Sequence, residues 1–152
     1  MSSSPHRVTI CRKVSFSSGH RNYCPDLSEA QNRELYGSSY SEHGHGHNYV
    51  LEAHVEGVLD TRTGMVMNLR DLDTILNNVT APLDHHFLNY DGPHFGEVVP
   101  TTENLAAFCF QEIANQLPSA EFTLRRIRLF EGTDLWVDVE GSRESKGSAQ
   151  EA

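Results

Sequence analysis

Three histidines lie two positions apart in His43-Gly44-His45-Gly46-His47-Asn48-Tyr49, at the head of a strand-like run. Side chains alternate along a strand, so His43, His45 and His47 would share one face. Imidazoles gathered on one face, with glycine between them leaving room, suit a first-row metal ion, most often zinc. The rival reading is a solvated polar loop in a chain that holds nine histidines. Past His47 the same face reads Tyr49, Leu51, Ala53 and Val55, which places the histidines at the buried end of a strand. A catalytic zinc keeps three protein ligands and one open position. His45 and His47 are the best pair, and His20 is the natural third because its strand face continues the row of Val14 and Phe16. His43 is its rival, and a closed site using His43 as well would make the metal structural. His54 falls on the opposite face with Asn48, Glu52 and Glu56 and reads as solvated, while His6 and His94 have no pattern behind them.

A second group is Asp84-His85, in Leu83-Asp84-His85-His86. A carboxylate beside an imidazole holds the ring tautomer and raises its pKa, which equips the pair as a general acid or base. Surface Asp–His neighbours are also common without a function. Glu103, at a helix start, could simply favour the helix dipole. Glu131 follows an apolar strand end, where an unpaired carboxylate is costly unless it meets a donor.

The elements that must position these residues can be read from periodicity. Val8, Ile10, Val14 and Phe16 share the face of a first strand that leads to His20. Leu27 to Tyr36 reads as a helix with a Ser28/Gln31 capping box and Gly37 as its stop. A second strand runs from about His47 to Val58, and Asp60-Thr61-Arg62-Thr63-Gly64 turns into a short return strand, Met65 to Met67. Asn68 caps a helix with Leu69, Leu72, Ile75, Leu76 and Val79 at helical spacing, stopped by Pro82. The loop from Pro82 to Pro100 is long for a compact domain, so function is expected there. A helix from Thr101-Thr102-Glu103 to Pro118 and two strands, Phe122 to Phe130 and Leu135 to Val139, complete the chain. The expected class is α+β: a four-stranded antiparallel sheet with two helices on one face.

The chain of 152 residues reads as one domain over residues 7–140, with flexible ends at 1–6 and 141–152. A formal charge of −9 argues against nucleic acid or an anionic membrane as the main partner. No apolar run is long enough to span a bilayer, and Met1-Ser2-Ser3-Ser4-Pro5 has no apolar signal core. Cys11, Cys24 and Cys109 are odd in number and widely spaced, which predicts free thiols and a cytoplasmic location.

Five segments, in this order, resemble the 6-pyruvoyl-tetrahydropterin synthase family: Ser15-Phe16-Ser17-Ser18-Gly19-His20-Arg21, Gly44-His45-Gly46-His47-Asn48-Tyr49, Gly64-Met65-Val66-Met67-Asn68-Leu69, Pro82-Leu83-Asp84-His85 and Thr101-Thr102-Glu103-Asn104. The resemblance spans about residues 7–140. It implies the tunnelling fold, whose sheets join into a barrel, and a homohexamer of two stacked trimers with sites between subunits. It implies a lyase that eliminates triphosphate from 7,8-dihydroneopterin triphosphate in tetrahydrobiopterin synthesis, with Mg2+ accompanying the triphosphate. His20, His45 and His47 match the family's zinc ligands, and Asp84 and His85 match its proton relay. Thr101, Thr102, Glu103 and Glu131 match positions lining the pterin pocket, with Glu131 as the anchor of the ring's N–H donors. Lys13, Arg12 and Arg21 are candidates for holding the triphosphate.

One position departs from the pattern. Typical animal members place a proton-abstracting cysteine six residues before the first histidine of the zinc pair, and here that residue is Ser39. A serine hydroxyl is a far poorer base than a thiol of pKa about 8.5. Glu42 forms Glu-x-x-His-Gly-His with the pair, which resembles a branch in which glutamate stands in for the cysteine and 6-hydroxymethyl-dihydropterin is formed for folate. Cys24, four residues after His20, is a further substitute. The related 6-carboxy-tetrahydropterin synthases are less similar in the Asn-Tyr and Thr-Thr-Glu-Asn segments. A pterin-binding protein that has lost catalysis is the reading from outside the enzyme class.

Overall fold

The computed structural model describes residues 5–91 and 93–142. Two long strands, β1 (Arg7–His20) and β2 (His45–Val58), pair antiparallel along their whole length, from Arg7↔Val58 to His20↔His45. β4 (Thr123–Phe130) pairs with β2, and β5 (Trp136–Glu140) pairs with β4, both antiparallel. A fifth, two-residue strand, β3 (His86–Phe87), runs parallel to the end of β1, giving the order β3-β1-β2-β4-β5. The sheet is therefore five-stranded and mixed, not four-stranded and antiparallel. The cause is a pair of long-range bonds: the Asp84 carboxylate accepts from Ser17 N at 2.8 Å, and His85 N donates to Ser17 O at 2.6 Å. Those bonds lash the long loop to β1. That loop also holds α3 (Leu88–Asp91) and a 3-10 turn at Pro93–Gly96.

The alternation expected for β2 is present: Tyr49, Leu51, Ala53 and Val55 are fully buried under the helices. α2 (Leu69–Thr80) presses Leu72, Ile75, Leu76 and Val79 onto this face, and α4 (Thr102–Gln116) adds Leu105, Ala106, Cys109 and Ile113. Asn68 and Thr101 cap them by accepting from Arg70 N and Asn104 N, each cap contributing about 1 kcal/mol. The return strand expected at Met65–Met67 shrinks to a single bridge, Asp60↔Met65. Asp60 ties the turn by accepting from Arg62 N and Thr63 N, and Met67 goes into the core.

α1 (Glu29–Tyr36) has the Ser28/Gln31 capping box but no apolar face, and Asn32 is its buried residue. The Asn32 amide accepts from Cys24 N and donates to the carbonyls of Cys24, Leu27 and Ser28. A satisfied buried amide does here what an apolar stripe does in α2. Of the ends expected to be flexible, residues 1–4 and 143–152 lie outside the described residues. At the described margins, Leu59 N donates to His6 O and Gly141 N donates to Arg125 O. Among the described residues, no helix is long and apolar enough to cross a membrane.

Candidate active site

The β1–β2 register builds the histidine cluster. His20 and His45 face each other across the strands, and His47, paired with Ser18, lies two residues further along the same face. Ring centroids are 4.6 Å apart for His20–His45, 4.9 Å for His45–His47 and 5.2 Å for His20–His47. His43 is not in the strand. It sits in an exposed turn before Gly44, whose φ of +69° an L side chain rarely adopts. A Cβ on Gly44 would also lie 2.5 Å from the Phe87 ring, so only glycine fits there, and His43 is not among the donors that the structure groups. The fourth group beside the three imidazoles is instead Glu131, and one donor atom from each residue lies within 4.8 Å of the others.

His20 is 2% exposed, and its Nδ1 is 2.6 Å from the carbonyl oxygen of Pro100. A carbonyl only accepts, so Nδ1 carries the proton and Nε2 presents a lone pair. That Nε2 is buried and has no protein partner, as a metal-ligating nitrogen with its other ring nitrogen fixed would. Burial, resisted by the Pro100 carbonyl, pushes the His20 pKa down, and burial lowers that of His47 against the pull of Glu131. Neutral rings are the ligating form. Tyr49, edge-on to His20 and His47, closes the floor, and burial raises its hydroxyl pKa.

Glu131 is half-buried, its Oε1 2.8 Å from His47 Nε2. This is a close approach without hydrogen-bond alignment, because His47 Nε2 has no aligned partner. The other oxygen accepts from the Thr102 hydroxyl. Thr102 is thus a support for Glu131, whereas the Thr101 hydroxyl is occupied in capping α4 and Glu103 is exposed on its first turn.

Asp84 and His85 form a pair, Oδ2 to Nδ1, at 2.9 Å, with the His85 side chain 82% exposed and Asp84 39% exposed. His85 has φ +60°, a left-handed conformation that costs a non-glycine residue about 1–2 kcal/mol. The Ser17 N–H bond, helped by His85, holds the Asp84 carboxyl below the usual carboxylate range. His85 and His47 line one cavity of about 410 Å³, together with Ser17, Ser18, Asn48 and Phe87.

Ser39 and Glu42 are placed elsewhere. Ser39 is half-buried in a 3-10 turn (Gly37–Tyr40), and exposed Glu42 lines a separate cavity with Arg21, Arg33, Tyr40 and Ser41. Arg21 donates to Tyr40 O at 2.9 Å and lies 4.6 Å from the centre of the Tyr40 ring, which pins this segment. The other cations considered for a triphosphate also have partners: Arg12 forks onto Asp73 at 2.7 and 3.0 Å, and Lys13 lies 3.1 Å from Glu52. Cys24 is half-buried on the far side of Asn32's bonds. His54 is not solvated as expected: it is half-buried, 3.1 Å from a Glu52 carboxylate that is itself buried. The expectation failed because alternation assigns a face but not what neighbouring strands add to it. Pro100 and Phe87 were not foreseen, since a backbone carbonyl and a packing ring leave no mark in residue type.

The sequence pattern of the 6-pyruvoyl tetrahydropterin synthase family matches residues 9–142. The chain belongs to this family. It is 40% identical over 136 residues to the human 6-pyruvoyl tetrahydrobiopterin synthase, covering 89% of this chain and 92% of that protein. It is 46% identical over 112 residues to the synthase of Poecilia reticulata, covering 73% and 76%. The solved structure of the Caenorhabditis elegans 6-pyruvoyl tetrahydropterin synthase superposes with a TM-score of 0.86 at 32% identity, covering 91% of this chain and 98% of that one. The architecture is accordingly the tunnelling fold, open in a single chain, and membership makes the protein a carbon–oxygen lyase of tetrahydrobiopterin synthesis.

Proposed function

We propose that the chain is a zinc-dependent enzyme that eliminates triphosphate from 7,8-dihydroneopterin triphosphate to form 6-pyruvoyl-tetrahydropterin. The observation that carries this reading is the buried, unpartnered His20 Nε2, aimed with His45 and His47 at one point beside Glu131. His20, His45 and His47 would hold the ion. The ion would supply Lewis acidity toward the substrate's side chain, which would make its C–H bonds more acidic.

The protein's own residues do the rest. Glu131, held by Thr102, receives the amino and N–H donors of the pterin ring, and Thr101 and Glu103 border that pocket. Asp84 stays ionised and keeps the proton of His85 on Nδ1, which leaves Nε2 to take and return protons at the substrate side chain. Glu42, with Ser39 beside it in sequence, takes the place of the missing cysteine as the base that removes the first carbon-bound proton. One C–H proton is taken, the C–O bond to triphosphate breaks, and hydrogens shift along the side chain without an external oxidant.

Supporting the assembly proposal, the edge strand β5 exposes Trp136 next to exposed Leu135, and beside β3, at the opposite edge of the sheet, Tyr90 is exposed as well. A homohexamer of two trimers would cover such an edge and bring subunits together over the site. The free thiols of Cys11, Cys24 and Cys109 support a cytoplasmic setting. Mg2+ would accompany the substrate's triphosphate.

The Ser39 position supports a second reading, in which Glu42 directs the same substrate to 6-hydroxymethyl-dihydropterin. Incubating purified protein with dihydroneopterin triphosphate and identifying the pterin decides the matter. The pyruvoyl product upholds the main proposal, the hydroxymethyl product the second. Binding without triphosphate release marks a pterin-binding protein and overturns both.

A further inference from the structure

We propose that Cys11, Glu52 and His54 form a second divalent-metal site, on the face of the sheet opposite the helices, suited to a borderline-soft ion of the zinc type. Cys11 and His54 are direct partners across β1 and β2, and Glu52 lies two residues before His54 on the same face. The Cys11 Sγ is 3.5 Å from His54 Nε2, and Glu52 Oε1 is 3.1 Å from that same nitrogen. One donor atom from each of the three residues lies within 4.8 Å of the others.

A thiol–imidazole–carboxylate relay places its thiol and carboxylate on opposite ring nitrogens. Here both converge on Nε2, and a single N–H or lone pair there cannot serve a proton relay between them. Three donor atoms this close to one another have the separations that ligands sharing one ion have. Thiolate sulfur, imidazole nitrogen and carboxylate oxygen are the donor types that zinc-like ions take, and three of them leave an open position. Lys13 Nζ, 3.1 Å from Glu52 Oε2, occupies the oxygen turned away from His54 and orients the carboxylate from behind. Glu52 is only 8% exposed, so its position is built into the sheet and is not a chance of the surface. The strands themselves separate this group from His20, His45 and His47, which project to the helix side.

Co2+ added to the metal-free full-length protein tests the site, because cobalt bound to a thiolate gives a near-ultraviolet charge-transfer band. The three-histidine cluster contains no sulfur and cannot produce it. The expected result is a saturable band in the unaltered chain, abolished in Cys11→Ser and shifted to at least about tenfold higher cobalt in His54→Gln. The band should persist in His20→Ala, so loss of the histidine cluster leaves this outcome readable. No band at saturating Co2+ in the unaltered protein overturns the proposal, as does a band that survives Cys11→Ser because another thiol supplies it.

Discussion

His20 and His85, both assigned to the proposed active site, have opposite surroundings. His20 is 2% exposed, its ring locked by the Pro100 carbonyl, with Tyr49 and two further imidazoles around it. The His85 side chain is 82% exposed, on a backbone bent to φ +60° and held by Ser17. Ligands of a metal need fixed separations, and burial with a tied second nitrogen provides that within one chain. A proton carrier has to reach both substrate and exchangeable partners, and the fold leaves it uncovered. Glu42 follows the same pattern, exposed and in a different cavity. The donor groups of the proposed metal site come together within a single chain, whereas the proposed proton-moving groups Asp84, His85 and Glu42 are open to solvent in it.

Separate halves should separate under mutation, and the largest effect is expected at the cluster. His20→Ala should remove the zinc held at the three-histidine cluster and turnover together, whereas His85→Ala should abolish turnover with zinc content unchanged by elemental analysis. Zinc lost from both variants would mean that the two regions are one structural unit. His43→Ala and His54→Ala should leave zinc at the three-histidine cluster intact. Within the exposed half, Glu42→Ala should stop catalysis while zinc and pterin remain bound, since only the proton acceptor is removed. Ser39→Ala should do much less. Ser39→Cys should raise formation of the pyruvoyl product, because it restores the thiol, a far better base than a hydroxyl, that typical animal members carry at this position. Full activity in Glu42→Ala with a dead Ser39→Ala would transfer the role to the serine.

The same contrast explains what the sequence made legible. The β2 face from Tyr49 to Val55, the caps at Ser28, Asn68 and Thr101, and the shared face of His20, His45 and His47 all follow from short-range periodicity and local hydrogen bonding. What escaped was set by partners that periodicity does not reveal. β3 exists because Ser17 accepts and donates across 67 or more residues to the Asp84–His85 segment. α1 packs through Asn32, a residue whose type signals exposure, because its amide finds four backbone partners. His54 turned from a solvated residue into a half-buried one because β1 and β4 flank it on both sides. Three-residue spacing revealed Glu42 near the histidines in sequence, yet the Gly44 turn leads it into another cavity.

Glu131 stands on the border between the halves, which makes its variant a finer probe. Its carboxylate touches His47 and accepts from Thr102, so it is placed either to anchor the pterin or to complete the metal's ligands. Glu131→Gln should weaken pterin binding by about 1.5–3 kcal/mol, the cost of losing a charge-assisted hydrogen bond. Zinc content should not change. A fall in zinc instead would move Glu131 into the metal-holding half.

The smallest effect expected is a pH dependence that divides the two regions without substrate. In the metal-free protein, burial keeps the His20 pKa below its ordinary value, so the folded chain resists a proton that the unfolded chain accepts at about pH 6.5. Stability should therefore decline as pH drops through that value, and continue to decline until the lowered pKa is reached. Asp84 behaves in the opposite range: the Ser17 N–H bond and His85 depress its pKa, so its contribution is present above about pH 3.9 and disappears only as pH falls through the depressed value. Melting temperature against pH should show the first decline in the metal-free parent, with a shallower slope between about pH 7 and pH 5.5 in His20→Gln. Asp84→Asn should leave that slope alone and flatten the acid limb. An unchanged slope in His20→Gln would mean that His20 carries no titration of its own and that His47, whose pKa burial also lowers, sets the profile.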